Sequence, residues 1–318
     1  MSNSNLLSSQ RLYIKEGEHY EIDSESLLPY EHVAILGHGG SAVVEKVRDS
    51  VTQLVYARKV FRVLSRRLDL VSELYQREVQ IIRRLAPHHH VIRVFATYRI
   101  KRELAVILEP VADGGDLASY LSSFRDLGTT DPLRLERQDV LLRAFGCLAV
   151  GLSHLHECNI RHKDIKPHNI LIHEDSIIYT DFGVARDYNG DNSTTDGHPG
   201  SFTMRYCSPE VADHDTRNRK SDVFSLGCVF LEILASLHPG ERLDELLDGG
   251  PYYEMVDEIQ AVLENCSAPI IPRVIRDMLY KHPGKRPSAN DLADTLREAG
   301  NKHFCDQCKR HPQQKVCK

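Results

Sequence analysis

The sequence predicts an α+β fold of two lobes, a small antiparallel β-sheet lobe carrying one helix, then a larger and mainly helical lobe. Three observations carry that expectation. Short β-type runs separated by Gly, Asp or Thr fill residues 33 to about 108, and helical runs dominate from Leu117 onward. A chain of 318 residues with 41% hydrophobic content can also bury more than one core.

In order, Val33-Ala34-Ile35-Leu36, Val43 to Val47 and Leu54 to Val60 read as strands, and a helix follows with an apolar stripe at Val71, Leu74, Ile82 and Leu85. Helical runs follow at 137 to 157, 221 to 237, 254 to 264, 271 to 280 and 289 to 298. The expected organisation is an N-terminal extension over 1–29, a principal domain over 30–299, and a C-terminal Cys-containing tail over 300–318. Within the domain, the sheet lobe covers about 30–108, a hinge 109–115, and the helical lobe 116–299.

Charge and composition exclude several classes of partner. The 45 acidic and 40 basic residues are well mixed and give a net charge of −5, so neither direct nucleic-acid binding nor a polybasic membrane contact is expected. The first thirty residues hold Leu6 and Leu7 as an apolar pair but no long apolar run, too little for a signal-peptide core. No run approaches the roughly 18 to 20 apolar residues that cross a bilayer. Cys147, Cys158, Cys207, Cys228 and Cys266 lack scaffold spacing and read as reduced thiols, so a cytoplasmic or nuclear location is expected. Oligomeric state is not legible.

Three constellations carry chemistry. Gly37-His38-Gly39-Gly40-Ser41-Ala42-Val43-Val44 places glycines between two strands, where backbone amides can approach phosphate closely. A Walker loop or dinucleotide fingerprint would lead into a helix instead, so the pattern suggests a flap over phosphates or a hairpin turn without ligand. Next, Lys59 lies on a strand and Glu78 falls inside the apolar stripe of the following helix, four residues from both Leu74 and Ile82. A carboxylate on a buried face requires a cation, and Lys59 is the candidate; a solvated Glu at the stripe's edge is the other reading.

The densest constellation runs from Ile160 to Gly183. Residues 170–172 and 177–179 read as strands paired around His173-Glu174-Asp175-Ser176, which brings Asn169 and Asp181 to the same open end. Their oxygens suit Mg²⁺, a hard ion. Asp164 can accept a hydroxyl proton, and Lys166 can steady charge on a transferred group.

These residues resemble the eukaryotic protein kinase superfamily over roughly Tyr30 to Ala299. His162-Lys163-Asp164 with Lys166 and Asn169 is similar to the catalytic loop, Asp181-Phe182-Gly183 to the metal-binding motif, and Ser208-Pro209-Glu210 to the segment closing the activation loop. Gly37, Gly39 and Val44 match the glycine-rich loop, Lys59 the family's phosphate-binding strand lysine and Glu78 the glutamate of the helix that follows it. Asp222 with Ser225 and Gly227 resembles the helix that anchors the catalytic loop, and Arg286 the late arginine that pairs with Glu210.

The resemblance implies a bilobal protein kinase-like fold with ATP in its cleft and Mg²⁺, with Mn²⁺ as a substitute, between Asn169 and Asp181. Leu36, Gly37, Gly39, Val44, Ala57, Lys59, Leu108, Glu109, Val111, Asp116 and Leu171 are then the nucleotide-binding set. Asp164, Lys166, Lys59 and Glu78 are the catalytic set. Lys166 together with Thr203 resembles the serine/threonine class, so the implied activity is transfer of the γ-phosphoryl group of ATP to Ser or Thr of protein substrates. The alternative is a pseudokinase scaffold that binds nucleotide and partners without efficient transfer.

Two departures motivate that alternative. The third glycine is Ala42, and the catalytic-loop arginine is Lys163, whose compact charge grips a phosphate less well than a planar fork. Ser193, Thr194, Thr195 and Ser201 read as solvated loop hydroxyls with the option of phosphorylation. His88-His89-His90 resembles the loop after that helix in the family and is not expected to bind metal, because three successive residues do not easily face one ion. Cys305-Asp306-Gln307-Cys308 can bite a zinc ion, but with His303, His311 and Cys317 it offers only an irregular second pair. It faintly resembles the start of a fungal binuclear zinc cluster whose later cysteines are missing, and a disordered tail ending in free thiols is expected there.

Overall fold

The computed structural model describes residues 11–38, 42–62, 68–85, 87–187, 204–215, 217–240, 242–266 and 270–310. Its contacts divide the chain into two units, Met1–Arg83 with Ile92–Val111, and Arg84–Val91 with Ala112–Lys318. This is the α+β arrangement that the alternation of residues predicts. Gly39 and the activation-segment residues Ser193, Thr194, Thr195, Ser201 and Thr203 lie outside the described residues, as do His311 and Cys317.

The first unit is built from β1 (His19–Ile22), β2 (Tyr30–His38), β3 (Ala42–Asp49), β4 (Val55–Arg62), α1 (Leu68–Arg84), β5 (Arg93–Ile100) and β6 (Glu103–Glu109). Its six-stranded sheet has the order β1-β5-β6-β4-β3-β2. Strands β2 to β6 pair antiparallel, as expected, whereas β1 adds in parallel to β5 and makes the sheet mixed.

Residues expected as a mere extension therefore belong to the sheet and to its core. Ile14, Ile22 and Leu28 are buried with Tyr56, Val60, Ala105 and Ile107 in one cluster. Because side chains alternate across a strand, Tyr56 and Val60 face away from Ala57 and Lys59, so the N-terminal segment covers the back of the sheet. Without that cover a row of Val, Ile and Tyr side chains would face water.

The second unit comprises α2 (Leu117–Arg125), α3 (Pro132–Glu157), β7 (Ile160–Arg161), β8 (Ile170–His173), β9 (Ser176–Tyr179), β10 (Arg186–Asp187), α4 (Pro209–Ala212), α5 (Arg219–Leu237), α6 (Leu243–Leu247), α7 (Val256–Glu264), α8 (Ile270–Met278), α9 (Ala289–Glu298) and α10 (Asp306–Arg310). Helix α5 starts at a capping box between Asn218 and Ser221 and is buried along most of its length, as a helix apolar on all sides must be. Helix α3, capped by Asp131 with Pro132 in its first turn, packs on it through an edge-to-face contact of Phe145 and Phe230 at 5.0 Å. Among the described residues, no helix is long and apolar enough to cross a membrane.

Two expectations are corrected in this unit. The segment 300–310 is ordered and docked, with His303, Phe304 and Cys308 buried. It lies on α3 at Gly146, where an added methyl would strike the His303 carbonyl and the Phe304 ring. His303 Nδ1 hydrogen-bonds the Leu142 carbonyl at 3.2 Å, and the Cys305 amide donates to Cys147 Sγ at 3.2 Å. Cys147, Cys207 and Cys228 are free thiols, but Cys158 is disulfide-bonded.

Candidate active site

In the first unit the sheet register groups several of the expected site residues. Val44 pairs with Lys59, Lys59 with Val106, and Ala57 with Leu108. Directly paired residues share a face, so Val44, Ala57, Lys59 and Leu108 stand on the same side of the sheet. An ammonium thus lies beside an apolar floor.

Lys59 Nζ donates to both oxygens of Glu78 at 2.8 Å each, and Glu78 is only 2% exposed. Tyr75, Glu78, Val79 and Ile82 form the buried face of α1 at helical spacing, so Glu78 is not a solvated edge residue. The lysine neutralises a carboxylate that would otherwise be stranded in apolar surroundings, and the carboxylate in turn fixes where the ammonium points. Gly37, near the end of β2, has open space where a side chain would be. Ala42 already belongs to β3, an extended conformation open to any L residue, so its methyl adds no backbone strain.

Leu36 is 43% exposed, while Val111 is buried. The Glu109 side chain pairs with Arg93.

The second unit groups a further set of the expected site residues. Strands β8 and β9 pair antiparallel, Ile170 with Tyr179, and the Thr180 amide donates to the Asn169 carbonyl at 3.0 Å. Asn169 and Asp181 therefore leave the hairpin at the same end, as the spacing predicts. Asp181 has φ 62, and Lys163 has φ 67. Both are left-handed conformations uncommon for side-chain-bearing residues, and Asp is among those that adopt them most readily.

The loop between β7 and β8 is clamped from beneath. Asp222 on α5 accepts the amide of His162 at 2.9 Å on Oδ2 and the amide of Lys163 at 2.9 Å on Oδ1. His156 Nε2 lies 3.1 Å from Oδ2. Burial pushes the Asp222 carboxyl up, but the His156 hydrogen bond and charge, together with the Lys163 amide, outweigh it and hold the pKa below the ordinary 3.8. The His162 ring in turn hydrogen-bonds the Thr180 carbonyl at 2.9 Å and packs 4.8 Å from Phe182.

On that rigid base Asp164 and its neighbours converge. Lys166 Nζ donates to Asp164 Oδ2 at 2.7 Å, and Asn169 Nδ2 donates to the same oxygen at 2.9 Å and to the Asp164 carbonyl at 2.8 Å. With both Nδ2 hydrogens directed at Asp164, the amide oxygen is the atom that Asn169 can offer a cation. Asn169 and Asp181 together supply oxygen donors only, a set that fits Mg²⁺. Leu171, paired with Ile178, continues from this loop into β8.

One residue expected to contact nucleotide also has a structural task. Asp116 caps α2, its Oδ1 accepting the Ser119 amide at 2.8 Å. Glu210, just inside α4, is forked by Arg286 at 2.7 and 2.8 Å and also accepts from Ser221 Oγ at 2.9 Å. Burial raises the Glu210 pKa, and the hydrogen bonds and charge of Arg286 more than reverse that, leaving it below 4.5.

One grouping of side chains is not legible in the sequence. His89, His90, Cys305 and Cys308 bring four potential ligand atoms within 4.8 Å of one another. Each motif is visible separately, but no local spacing connects residues more than two hundred positions apart.

The family model described as the protein kinase domain matches residues 30–296. Serine/threonine-protein kinase cds1 of Schizosaccharomyces pombe is 31% identical over 302 residues, covering 89% of this chain and 59% of that protein. Serine/threonine-protein kinase Nek5 of Homo sapiens is 29% identical over 235 residues, covering 70% of this chain and 30% of its own length. Serine/threonine-protein kinase PknB of Mycolicibacterium smegmatis is 34% identical over 215 residues, or 66% of this chain and 33% of that one. The chain thus spans about a third to three fifths of these three relatives.

Proposed function

The chain belongs to the eukaryotic protein kinase superfamily, serine/threonine type, and we propose that it is a catalytically active member that transfers the γ-phosphoryl group of ATP to Ser or Thr hydroxyls of protein substrates. The observation that carries this reading is the Asp164 carboxylate, held by the Lys166 ammonium and the Asn169 amide above a loop whose backbone is clamped by Asp222.

Each side chain has a part suited to its surroundings. Asp164 accepts the proton of the substrate hydroxyl as that oxygen attacks phosphorus. Lys166, already 2.7 Å from Asp164, offers positive charge beside the base, where negative charge develops on the transferred group. Lys59, oriented by Glu78, binds phosphate oxygens of the nucleotide. Val44, Ala57, Leu108 and Leu171 supply apolar contact for its ring, and Glu109 and Val111 supply backbone groups. Asn169 and Asp181 would hold Mg²⁺, which when bound neutralises phosphate charge. No covalent nucleophile is needed, because phosphoryl transfer is achieved by positioning and charge neutralisation.

The two departures from the family pattern remove no group that the proposed transfer uses. Ala42 sits in regular strand, and the Lys163 contact to Asp222 is made by its backbone amide, which any residue provides. With Mg-ATP and a mixed peptide library, the wild-type chain should phosphorylate Ser and Thr peptides. Asp164→Ala should lower the rate by about 10²- to 10⁴-fold, and Lys59→Met should also abolish efficient transfer. Nucleotide-dependent partner binding that persists in Asp164→Asn, with no transfer by the wild type, would favour the scaffold.

A further inference from the structure

We propose that His89, His90, Cys305 and Cys308 bind one Zn²⁺ ion in a closed tetrahedral site that ties the C-terminal segment to the loop after α1. The site lies wholly within the second unit. It is separate from the residues assigned to catalysis and does not depend on that assignment.

The geometry argues for an ion in the middle. His89 Nε2 and His90 Nε2 lie 3.3 and 3.2 Å from Cys308 Sγ, and each lies 3.7 Å from Cys305 Sγ. A tetrahedral zinc with its usual bonds to sulfur and nitrogen sets a sulfur–nitrogen edge of about 3.6 Å. All four sulfur–nitrogen edges fall near that length, and the four ligand atoms lie within 4.8 Å of one another, close enough to share one ion.

The surroundings orient those atoms. His90 Nδ1 is 2.7 Å from the Ile177 carbonyl, which can only accept, so the hydrogen sits on Nδ1 and the Nε2 lone pair faces the two sulfurs. That outer hydrogen bond is the usual support of a metal-bound histidine. The Tyr179 amide donates to the His90 carbonyl at 2.9 Å and locks the same loop to β9. Gly151 lets this loop lie close to α3, since a methyl there would come within 3.1 Å of His90 Cβ.

Charge and ligand number specify the class of ion. Two thiolates neutralise a divalent cation, which suits a site where His90 and Cys308 are buried. Two sulfurs and two imidazole nitrogens in tetrahedral array favour zinc over the hard ions that prefer oxygen. Four protein ligands leave no open position, so the ion would be structural. Its anchorage to Ile177 and Tyr179 places it behind the strand that leads to Asp181.

The test measures metal directly. The full chain, purified without chelator and supplied with Zn²⁺, should retain about one zinc per chain after dialysis. Cys305→Ser with Cys308→Ser should lose it, and Cys266→Ser should keep it. Because the double variant could fail to fold, the wild type is also reloaded with Co²⁺, which should give tetrahedral d–d bands and thiolate-to-cobalt charge transfer. A wild-type chain that holds no zinc after loading, an octahedral cobalt spectrum, or full metal retention by the double variant would overturn the assignment.

Discussion

The loop that carries Asp164 and the histidine–cysteine cluster are both polar knots inside the second unit, yet they are completed differently. In the first, acceptors meet donors from the chain itself: Asp222 takes two backbone amides, Asp164 takes Lys166 and Asn169, and Glu210 takes Arg286. In the second, two sulfurs and two imidazole nitrogens converge on one point. A polar group satisfied by the chain holds its position without help, whereas the proposed zinc would hold the sulfurs and imidazole nitrogens of the second.

That contrast can be broken in steps of decreasing size. Arg286→Ala strands Glu210 in a buried site and should cost about 3–5 kcal/mol in denaturant unfolding. A cost below about 1 kcal/mol would mean that the pair is as weak as a surface one.

Acid should reveal the same dependence. The folded pKa of Glu210 and that of Asp222 lie below their ordinary values, so as pH falls the unfolded chain takes up these protons first. The stability they contribute is complete above those ordinary values and is lost as pH drops through the lower folded values. Glu210→Gln should therefore flatten the acid limb of stability against pH, while an unchanged limb would remove Glu210 from the account.

Asp222→Asn is smaller, because it keeps the shape but turns an acceptor toward a backbone N–H into a donor. A cost of about 1–3 kcal/mol is expected, with a lowered kcat from a less rigid loop. Full activity would show that the clamp is dispensable. Removing zinc from the cluster with a chelator should lower the melting temperature by several degrees and restore it on re-addition. No shift would separate the cluster from stability.

The smallest effect belongs to Asp116. Its replacement by Ala should cost about 1 kcal/mol as a lost helix cap, and Asp116→Asn should cost less because Asn also caps. Equal losses would point to the charge rather than the cap.

What was legible in the sequence follows from how near the partners lie along the chain. Asn169, Asp181 and the hairpin between them are one local unit, and Glu78 betrays itself by interrupting an apolar stripe. Arg286 and Asp222 were legible only through resemblance, since nothing in their own surroundings names a distant partner. The N-terminal strand was missed because Ile14, Ile22 and Leu28 are diluted among acidic residues. The ordering of 300–310 was missed because His303 and Phe304 dock on a groove that exists only after α3 has folded at Gly146. The pairing of His89 and His90 with Cys305 and Cys308 has no periodicity at all, so only the folded chain displays it.

The central claim is that Asp164 serves as the base of a phosphoryl-transfer site. Its most direct measurement is the initial rate of phosphate transfer from Mg-ATP to a Ser/Thr peptide, wild type against Asp164→Asn, with folding of both verified by their melting curves. The account predicts measurable transfer by the wild type and a fall of at least about 10²-fold in an equally folded variant. Equal rates in the two proteins would contradict it.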